Sequence, residues 1–273
     1  MPGKLRTWPR PHFTAGGGNP LLFYVVFGAF DLARPFSRSK YRAAGVPEWL
    51  ELVSYDRAKQ SDVFAGYQSG KMWEILTRDA PLLAAAAEKA PQCVALRGEP
   101  ADPPTLDYFR DTVGVVTWLL DAGGIAVSDP QMLWLWSADE WREEVFEPNE
   151  PNPDRHTAIL VSEEGRGTSW YHTRGMRKYG RPDLSVHGVG AAHADGVTLM
   201  IERFVELQAL GGVIPDGEPV RMKALPPGGV CRHGGSPDDP DFNNVHVEIA
   251  WPPGTLKGAG RGGGEPRTRR GGQ

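Results

Sequence analysis

Segment 169–186 combines residue types that a single helix or strand does not accommodate. Its start is β-prone around Trp170, and after Asp183 apolar and polar residues alternate with the period of a strand. Between these ends, Gly175 and Gly180 permit the unusual backbone angles of a compact connection. The same connection contains four cations within eight residues, namely Arg174, Arg177, Lys178 and Arg181. We therefore expect two strands joined by a tight and strongly basic turn.

The turn carries the motif Thr173-x-Gly175-Met176-x-x-Tyr179-Gly180-x-Pro182-Asp183-Leu184-x-Val186. This motif resembles the core signature of a bacterial family of domains of unknown function (the 4261 type). The resemblance extends from about Leu21 to Trp251, which is most of the chain. It implies a fold but no site residues, because no catalytic residues have been fixed for the family.

A strong apolar run, Leu21 to Phe27, follows a basic and glycine-rich start. Such an arrangement is typical of either a signal peptide or a buried first strand. We favour the strand, because no small-x-small cleavage site follows the run. The run is also much shorter than the roughly 18 apolar residues that cross a membrane, so no membrane partner is expected.

The charge of the chain is unevenly distributed. Of its 273 residues 30 are basic and 34 acidic, but the two ends, 1–12 and 257–273, are basic. The remaining body has 22 basic and 33 acidic residues, a net charge of −11. Because nucleic-acid-binding domains are basic, we expect at most weak contact with nucleic acid, through the Arg-Gly tail alone.

Two cysteines, Cys93 and Cys231, are too few for a disulfide framework and lack a CxxC spacing. This usage favours a reducing compartment. We therefore predict a cytoplasmic protein.

The clearest helix begins after the proline-rich break at 100–104. Its apolar residues recur every three to four positions and so share one face: Leu106, Phe109, Val113, Val116 and Leu120. The helix ends at Gly123-Gly124, before a strand. A second helix, opened by Asp195, ends similarly at Gly211-Gly212, before a predicted strand at 213–216. Either the chain has two related strand–helix–strand halves about a shared sheet, or two helix ends are similar by chance.

These patterns predict the α+β class, as a single domain with a mixed β-sheet and helices mainly on one face. The domain is expected to span residues 20–254. Residues 1–19, which contain Gly16-Gly17-Gly18 and several prolines, are predicted to be a disordered arm. The Gly- and Arg-rich residues 255–273 are predicted to be a disordered tail.

The basic turn is the candidate ligand site, because cations and backbone amides freed by glycines can hold a phosphate or a carboxylate. The candidate anion-binding residues are His172, Arg174, Arg177, Lys178 and Arg181. The alternative is that these cations only pair with the acidic body, beginning with Asp183. The turn is not a P-loop, because no Gly-Lys-Ser/Thr follows and it leads into a strand.

Other chemistry has weaker support. The histidines and acids between His172 and Asp195 match no compact zinc spacing, so we expect no metal site and no cofactor. Cys231 and His233 could form a thiol nucleophile, but no positioning element is visible beside them. No catalytic residue can be assigned from the sequence.

The leading hypothesis is a non-enzymatic bacterial protein, immunity-like or regulatory, that binds another protein through an acidic surface. It rests on an analogy with small α/β domains of toxin-neutralising and regulatory proteins. The alternative is a small-molecule or anion-binding enzyme with its site around His172, Arg174, Lys178 and Arg181. Convergence of these side chains in a deep cleft would favour the enzyme. No oligomeric state is predicted.

Overall fold

The computed structural model describes residues 5–257. They form two compact units, an N-terminal unit of residues 5–9 and 21–152 and a C-terminal unit of residues 10–20 and 153–257. Both units contain helices and strands, which confirms the α+β class. The strands form two sheets, one in each unit, instead of the single mixed sheet expected from the sequence.

The N-terminal unit contains an antiparallel sheet of five strands in the order β2-β3-β1-β4-β5. Its strands are β1 (Leu22–Gly28), β2 (Leu50–Asp56), β3 (Gln92–Gly98), β4 (Gly124–Asp129) and β5 (Trp134–Ser137). Its helices are α1 (Ser61–Tyr67), α2 (Gly70–Asp79), α3 (Pro81–Lys89), α4 (Asp107–Asp121) and α5 (Ala138–Glu140), the last continued by a π-helical segment (Trp141–Phe146).

Strand β1 is buried because helices cover both faces of this sheet. Val25 belongs to a core cluster with side chains of α1, α2 and α3. Its neighbour Tyr24 points to the opposite face, where its ring meets that of Trp141 edge to face at 5.7 Å. The indole nitrogen of Trp141 in turn donates to the Thr117 hydroxyl of α4 at 3.1 Å. The apolar run at the start of the chain is therefore a core strand, as predicted.

Helix α4 has the apolar face that its spacing predicts. The five residues of that face are each 3% exposed or less: Leu106, Phe109, Val113, Val116 and Leu120. Asp111, on another side of the helix, is not a free surface residue. Its carboxylate accepts from the Arg110 guanidinium at 2.7 Å and from the Ala44 amide at 3.1 Å.

The C-terminal unit contains a six-stranded sheet in the order β6-β7-β8-β11-β10-β9, in which only the β8–β11 pair is parallel. Its strands are β6 (Ala158–Gly165), β7 (Thr168–Arg174), β8 (Asp183–Gly190), β9 (Pro219–Val220), β10 (Gly229–Gly235) and β11 (Val245–Ala250). Its one long helix within the described residues is α6 (Ala194–Ala209), which begins one residue before Asp195. The buried side of α6, including Val197 and Ile201, packs against the apolar face of this sheet, where Leu184 and Val186 are 0% exposed.

Both long helices end at the predicted Gly-Gly pairs. Gly123 and Gly211 have φ angles of +119° and +103°, in the left-handed region that glycine adopts without strain. After α6, the Gly212 amide donates to the Leu207 carbonyl at 2.8 Å and the Gly211 amide to that of Gln208 at 2.9 Å, which is a Schellman cap. Strand β4 follows the first pair, but the strand predicted at 213–216 is wrong, since those residues have no strand pairing.

The prediction of a disordered arm is wrong for residues 5–19. In the N-terminal unit, Trp8 is 2% exposed. In the C-terminal unit, the amides of His12 and Gly18 donate to the carbonyls of Leu210 and Gly180, both at 3.0 Å. Gly17 allows this close packing, because a Cβ at this position would collide with the guanidinium of Arg181.

Of the predicted tail, Leu256 is 4% exposed and its carbonyl accepts from the Gly190 amide at 2.8 Å. Residues 258–273 lie outside the described residues. Within residues 5–257, no helix has the length and apolar character needed to cross a bilayer.

Candidate binding surface

The turn between β7 and β8 is built around the carboxylate of Asp183, which is 0% exposed. One of its oxygens accepts from the Thr173 hydroxyl at 2.8 Å and the Met176 amide at 3.3 Å. The other accepts from the Asn244 side-chain amide at 2.8 Å. Burial raises the pKa of Asp183 to about 6 even though these donors favour the ionised form. The polar residues of the motif therefore have a structural role in fixing this turn.

The glycines of the motif are required by the backbone. Gly175 and Gly180 flank the 3₁₀ turn Met176–Tyr179 and have φ angles of +115° and +64°. A Cβ at Gly175 would collide with the carbonyl of His156, and one at Gly180 with that of Gly18. The predicted compact connection is confirmed.

The five predicted anion-binding side chains do not converge on one point. Lys178 is 0% exposed and its ammonium donates to the His156 carbonyl at 2.8 Å. Arg181 is 2% exposed and its guanidinium donates to the carbonyls of Gly211 and Gly212, both at 3.0 Å. These carbonyls follow the C-terminal end of α6, where the helix dipole favours a cation. Lys178 and Arg181 therefore satisfy main-chain carbonyls in the interior of the C-terminal unit.

Arg174 and Arg177 hold a loop instead. The Arg174 guanidinium donates to the Asp241 carbonyl at 2.8 Å, and that of Arg177 to the Asn243 carbonyl at 2.9 Å. The loop 236–244 lies between β10 and β11. The predicted site residues are thus divided between the interior, this loop and, for His172, a cluster of rings.

Five rings form that cluster on the sheet face opposite α6, and we call it the aromatic–histidine face: Trp170, His172, His187, Phe242 and His246. The Trp170 indole lies between two imidazoles, His172 at 3.9 Å and His187 at 5.0 Å between ring centroids, with interplanar angles of 19° and 5°. Phe242 meets Trp170 edge on at 5.9 Å and stacks on His246 at 4.3 Å.

Strand register brings these rings together. His172 of β7 is the partner of Ser185 in β8, and His246 of β11 is the partner of Asp183. Because side chains alternate along a strand, Trp170 and His187 fall on this same face. The Trp170 indole nitrogen donates to the Ser185 hydroxyl at 2.9 Å, which fixes the orientation of the indole.

The two imidazoles beside Trp170 have different electrostatic surroundings. Burial, assisted by Arg174, lowers the pKa of His172 to about 4, so its ring is neutral at neutral pH. His187 lies 2.5 Å from a Glu164 carboxylate oxygen and 3.8 Å from one of Glu248. Although burial opposes it, the Gly188 amide and His187 together lower the pKa of Glu164 below its usual value.

The cluster has a buried base and an exposed rim. His172 and Phe242 are each 5% exposed, whereas the side chain of His187 is 51% exposed. Trp170 is partly exposed between them. Solvent therefore reaches the edge of the stack while its base is enclosed.

Neither cysteine has the environment of a nucleophile. Both are 0% exposed, and burial raises the pKa of Cys93 to about 12 and that of Cys231 to about 11. The His233 ring, the suggested partner of Cys231, lies 2.7 Å from the Ile214 carbonyl through Nε2. Over the described range 5–257, no group of three or more His, Cys, Asp or Glu side chains could hold a metal ion.

Sequence reasoning found His172 but missed the rest of the aromatic–histidine face. The alternation of Trp170 and His172 in one strand was a usable signal. Phe242 was a second one, as a lone aromatic residue in a loop otherwise rich in Pro, Asp and Asn. What no pattern supplied was the parallel pairing of β8 with β11, which joins the two segments.

Comparison of the chain with protein-family models, with curated protein sequences and with solved structures gives no match in any of the three. The resemblance of the β7–β8 turn to a family of domains of unknown function therefore stays a prediction.

Proposed function

We propose that this protein is a non-enzymatic binding domain, immunity-like or regulatory, and that it engages another protein through the aromatic–histidine face. The observation that carries the proposal is the stack His172–Trp170–His187, whose edge is exposed while its base is buried. Large aromatic side chains held in one orientation are typical of the residues that dominate binding energy at protein interfaces.

Preorganisation supports this proposal. The Trp170 indole is held by two stacked rings and by its hydrogen bond to Ser185, so little side-chain entropy remains to be lost on binding. Arg174 and Arg177 fix the loop that places Phe242 against the stack. Arg174 and Arg177 are thus positioning residues for the proposed contact surface.

The charge around the stack suggests what a partner would offer. Two carboxylates, Glu164 and Glu248, lie beside the exposed His187 ring. A partner with an apolar or aromatic anchor and a neighbouring basic side chain would meet both features, in keeping with an acidic body. The enzyme alternative has less support, because Lys178 and Arg181 are buried and donate to main-chain carbonyls.

Site-specific photo-crosslinking tests the proposal. A photo-reactive amino acid replaces His187 in the full chain, expressed in its native cells, and a second chain carries it at Leu199, an exposed residue of α6. We expect one discrete protein adduct from position 187 and none from 199, and loss of the adduct when Trp170→Ala is added. Equal adducts from both positions, or none from 187 with the chain folded by circular dichroism, would refute the proposal.

A further inference from the structure

A second feature of the C-terminal unit lies apart from the aromatic–histidine face. A groove of about 590 Å³ runs between α6 and the segment 213–222. On α6 its wall is a stripe at helical spacing, formed by Met200, Arg203, Phe204 and Leu207. The volume falls within the range of roughly 300–1,000 Å³ that is typical of small-molecule sites.

The groove exists because the chain does not continue as a strand after α6. The Schellman cap at Gly211-Gly212 turns the chain tightly around Leu207, since a Cβ at Gly212 would meet that side chain. Segment 213–218 then runs without strand pairing until β9. Ile214 and Val220, which are 4% and 8% exposed, form the opposite wall.

Two cations lie on this apolar groove, and neither guanidinium group is bonded to a residue of the range 5–257. Arg203 and Arg221 both line it and both are exposed. Neither guanidinium makes a hydrogen bond or an ion pair with any residue of the described range 5–257. One acidic side chain, Glu218, also lines the groove, which leaves an excess of one positive charge there.

The guanidinium groups of other exposed arginines, such as Arg97 and Arg166, also lack a bonding partner among residues 5–257, but Arg203 and Arg221 lie on the walls of an apolar groove. The body between the basic ends has a net charge of −11, so carboxylates to neutralise an arginine are abundant. The apolar walls favour a ligand with a hydrocarbon part, because the burial of each methylene group contributes about 0.8 kcal/mol of favourable free energy. Guanidinium groups favour a carboxylate, which they can bind through two parallel hydrogen bonds.

We propose that this groove binds a small amphipathic carboxylate, with the hydrocarbon part against Phe204, Leu207 and Ile214 and the carboxylate on Arg203 and Arg221. A single carboxylate fits better than a more highly charged phosphate group, because Glu218 cancels part of the positive charge. The proposal is independent of protein binding by the aromatic–histidine face, which involves none of these residues.

Calorimetric titration of the full chain with octanoate, octanol and octylammonium tests this assignment. We expect the wild type to bind octanoate more tightly than either of the other two. The double variant Arg203→Gln, Arg221→Gln should bind octanoate about tenfold or more weakly, because two charge-assisted hydrogen bonds are lost. Arg166→Gln, in the exposed turn between β6 and β7, is the matched control and should leave the affinity unchanged.

The charge reversal Arg203→Glu, Arg221→Glu provides a second measurement, and should exchange the preference from octanoate to octylammonium. Equal binding of octanol and octanoate by the wild type would overturn the assignment of a carboxylate. Absence of octanoate binding, or an equal loss of affinity in the Arg166→Gln control, would overturn the site itself.

Discussion

The substitution Asp183→Asn should reveal how the motif turn is stabilised. The carboxyl group is completely buried and accepts hydrogen bonds from Thr173, Met176 and Asn244. Asparagine keeps the size of the side chain and one acceptor oxygen, but it cannot ionise. Comparison of the two proteins therefore separates the cost of a buried charge from the contribution of the hydrogen bonds.

The pKa of Asp183 determines how its contribution to stability changes with pH. Burial raises the pKa of Asp183 from 3.8 to about 6, so the folded state holds its proton more tightly than the unfolded state. The stability that this group contributes is fully present below pH 3.8 and is lost as the pH rises through about 6. Because one pKa unit corresponds to about 1.4 kcal/mol, the loss amounts to about 3 kcal/mol.

The Asp183→Asn variant does not lose stability in this way as the pH rises, because asparagine cannot ionise. At pH 4 we expect Asp183→Asn to be less stable than the wild type by about 1–2 kcal/mol, because the Asn244 amide loses its acceptor oxygen. By pH 7 the difference should move by about 2.4 kcal/mol in favour of the variant, because part of the total loss has already occurred at pH 4. The buried His172 titrates in the same range in both proteins, so it cancels in the difference.

Urea unfolding at half-unit steps between pH 4 and 7, followed by circular dichroism, measures the difference. Asp238→Asn, at an exposed position of the loop 236–244, is the control and should show no such trend. A difference that stays constant with pH would contradict the argument. A trend of opposite sign would show that the three donors outweigh burial and hold the carboxylate ionised.

Three further outcomes are expected. Arg181→Met should lower the free energy of unfolding by about 3 kcal/mol or more, because two buried carbonyls lose a charged donor, whereas Arg166→Met should change it little in the same urea titration. Phe109→Ala should cost about 3–5 kcal/mol, since a 1% exposed ring leaves a cavity on the inner face of α4. Cys93 and Cys231 should react with a thiol reagent at pH 8 only as fast as the chain unfolds; rapid reaction of either in the folded protein would show that it is accessible.

Local patterns predicted the elements well where one physical effect dominates. The spacing of apolar residues placed α4, and the Gly-Gly pairs placed the ends of both long helices. The start of a helix can be equally local, since Ser137 and Glu140 form the reciprocal capping box that begins α5. In each case neighbours in sequence are neighbours in space.

The predictions failed where distant main-chain contacts decide the structure. The Gly-rich arm looked disordered because its composition offers little to bury, yet Gly18 pairs through its backbone with Gly180. The strand expected at 213–216 had the right apolar residues, but no sheet edge receives it, and its side chains line a groove along α6. Composition carries no information on either contact.

The cations of this chain show why a cluster in sequence did not locate an anion site. Lys178 and Arg181 belong to the basic turn, but both side chains are buried. Lys178 donates to the His156 carbonyl, and Arg181 donates to the carbonyls that follow the end of α6. A buried cation whose hydrogen atoms point at main-chain oxygens has little capacity left for a ligand. Arg203 and Arg221 lie 18 residues apart and attract no attention in the sequence. They are exposed beside apolar side chains and their guanidinium groups are bonded to no residue of the range 5–257, which is why we propose the carboxylate site there.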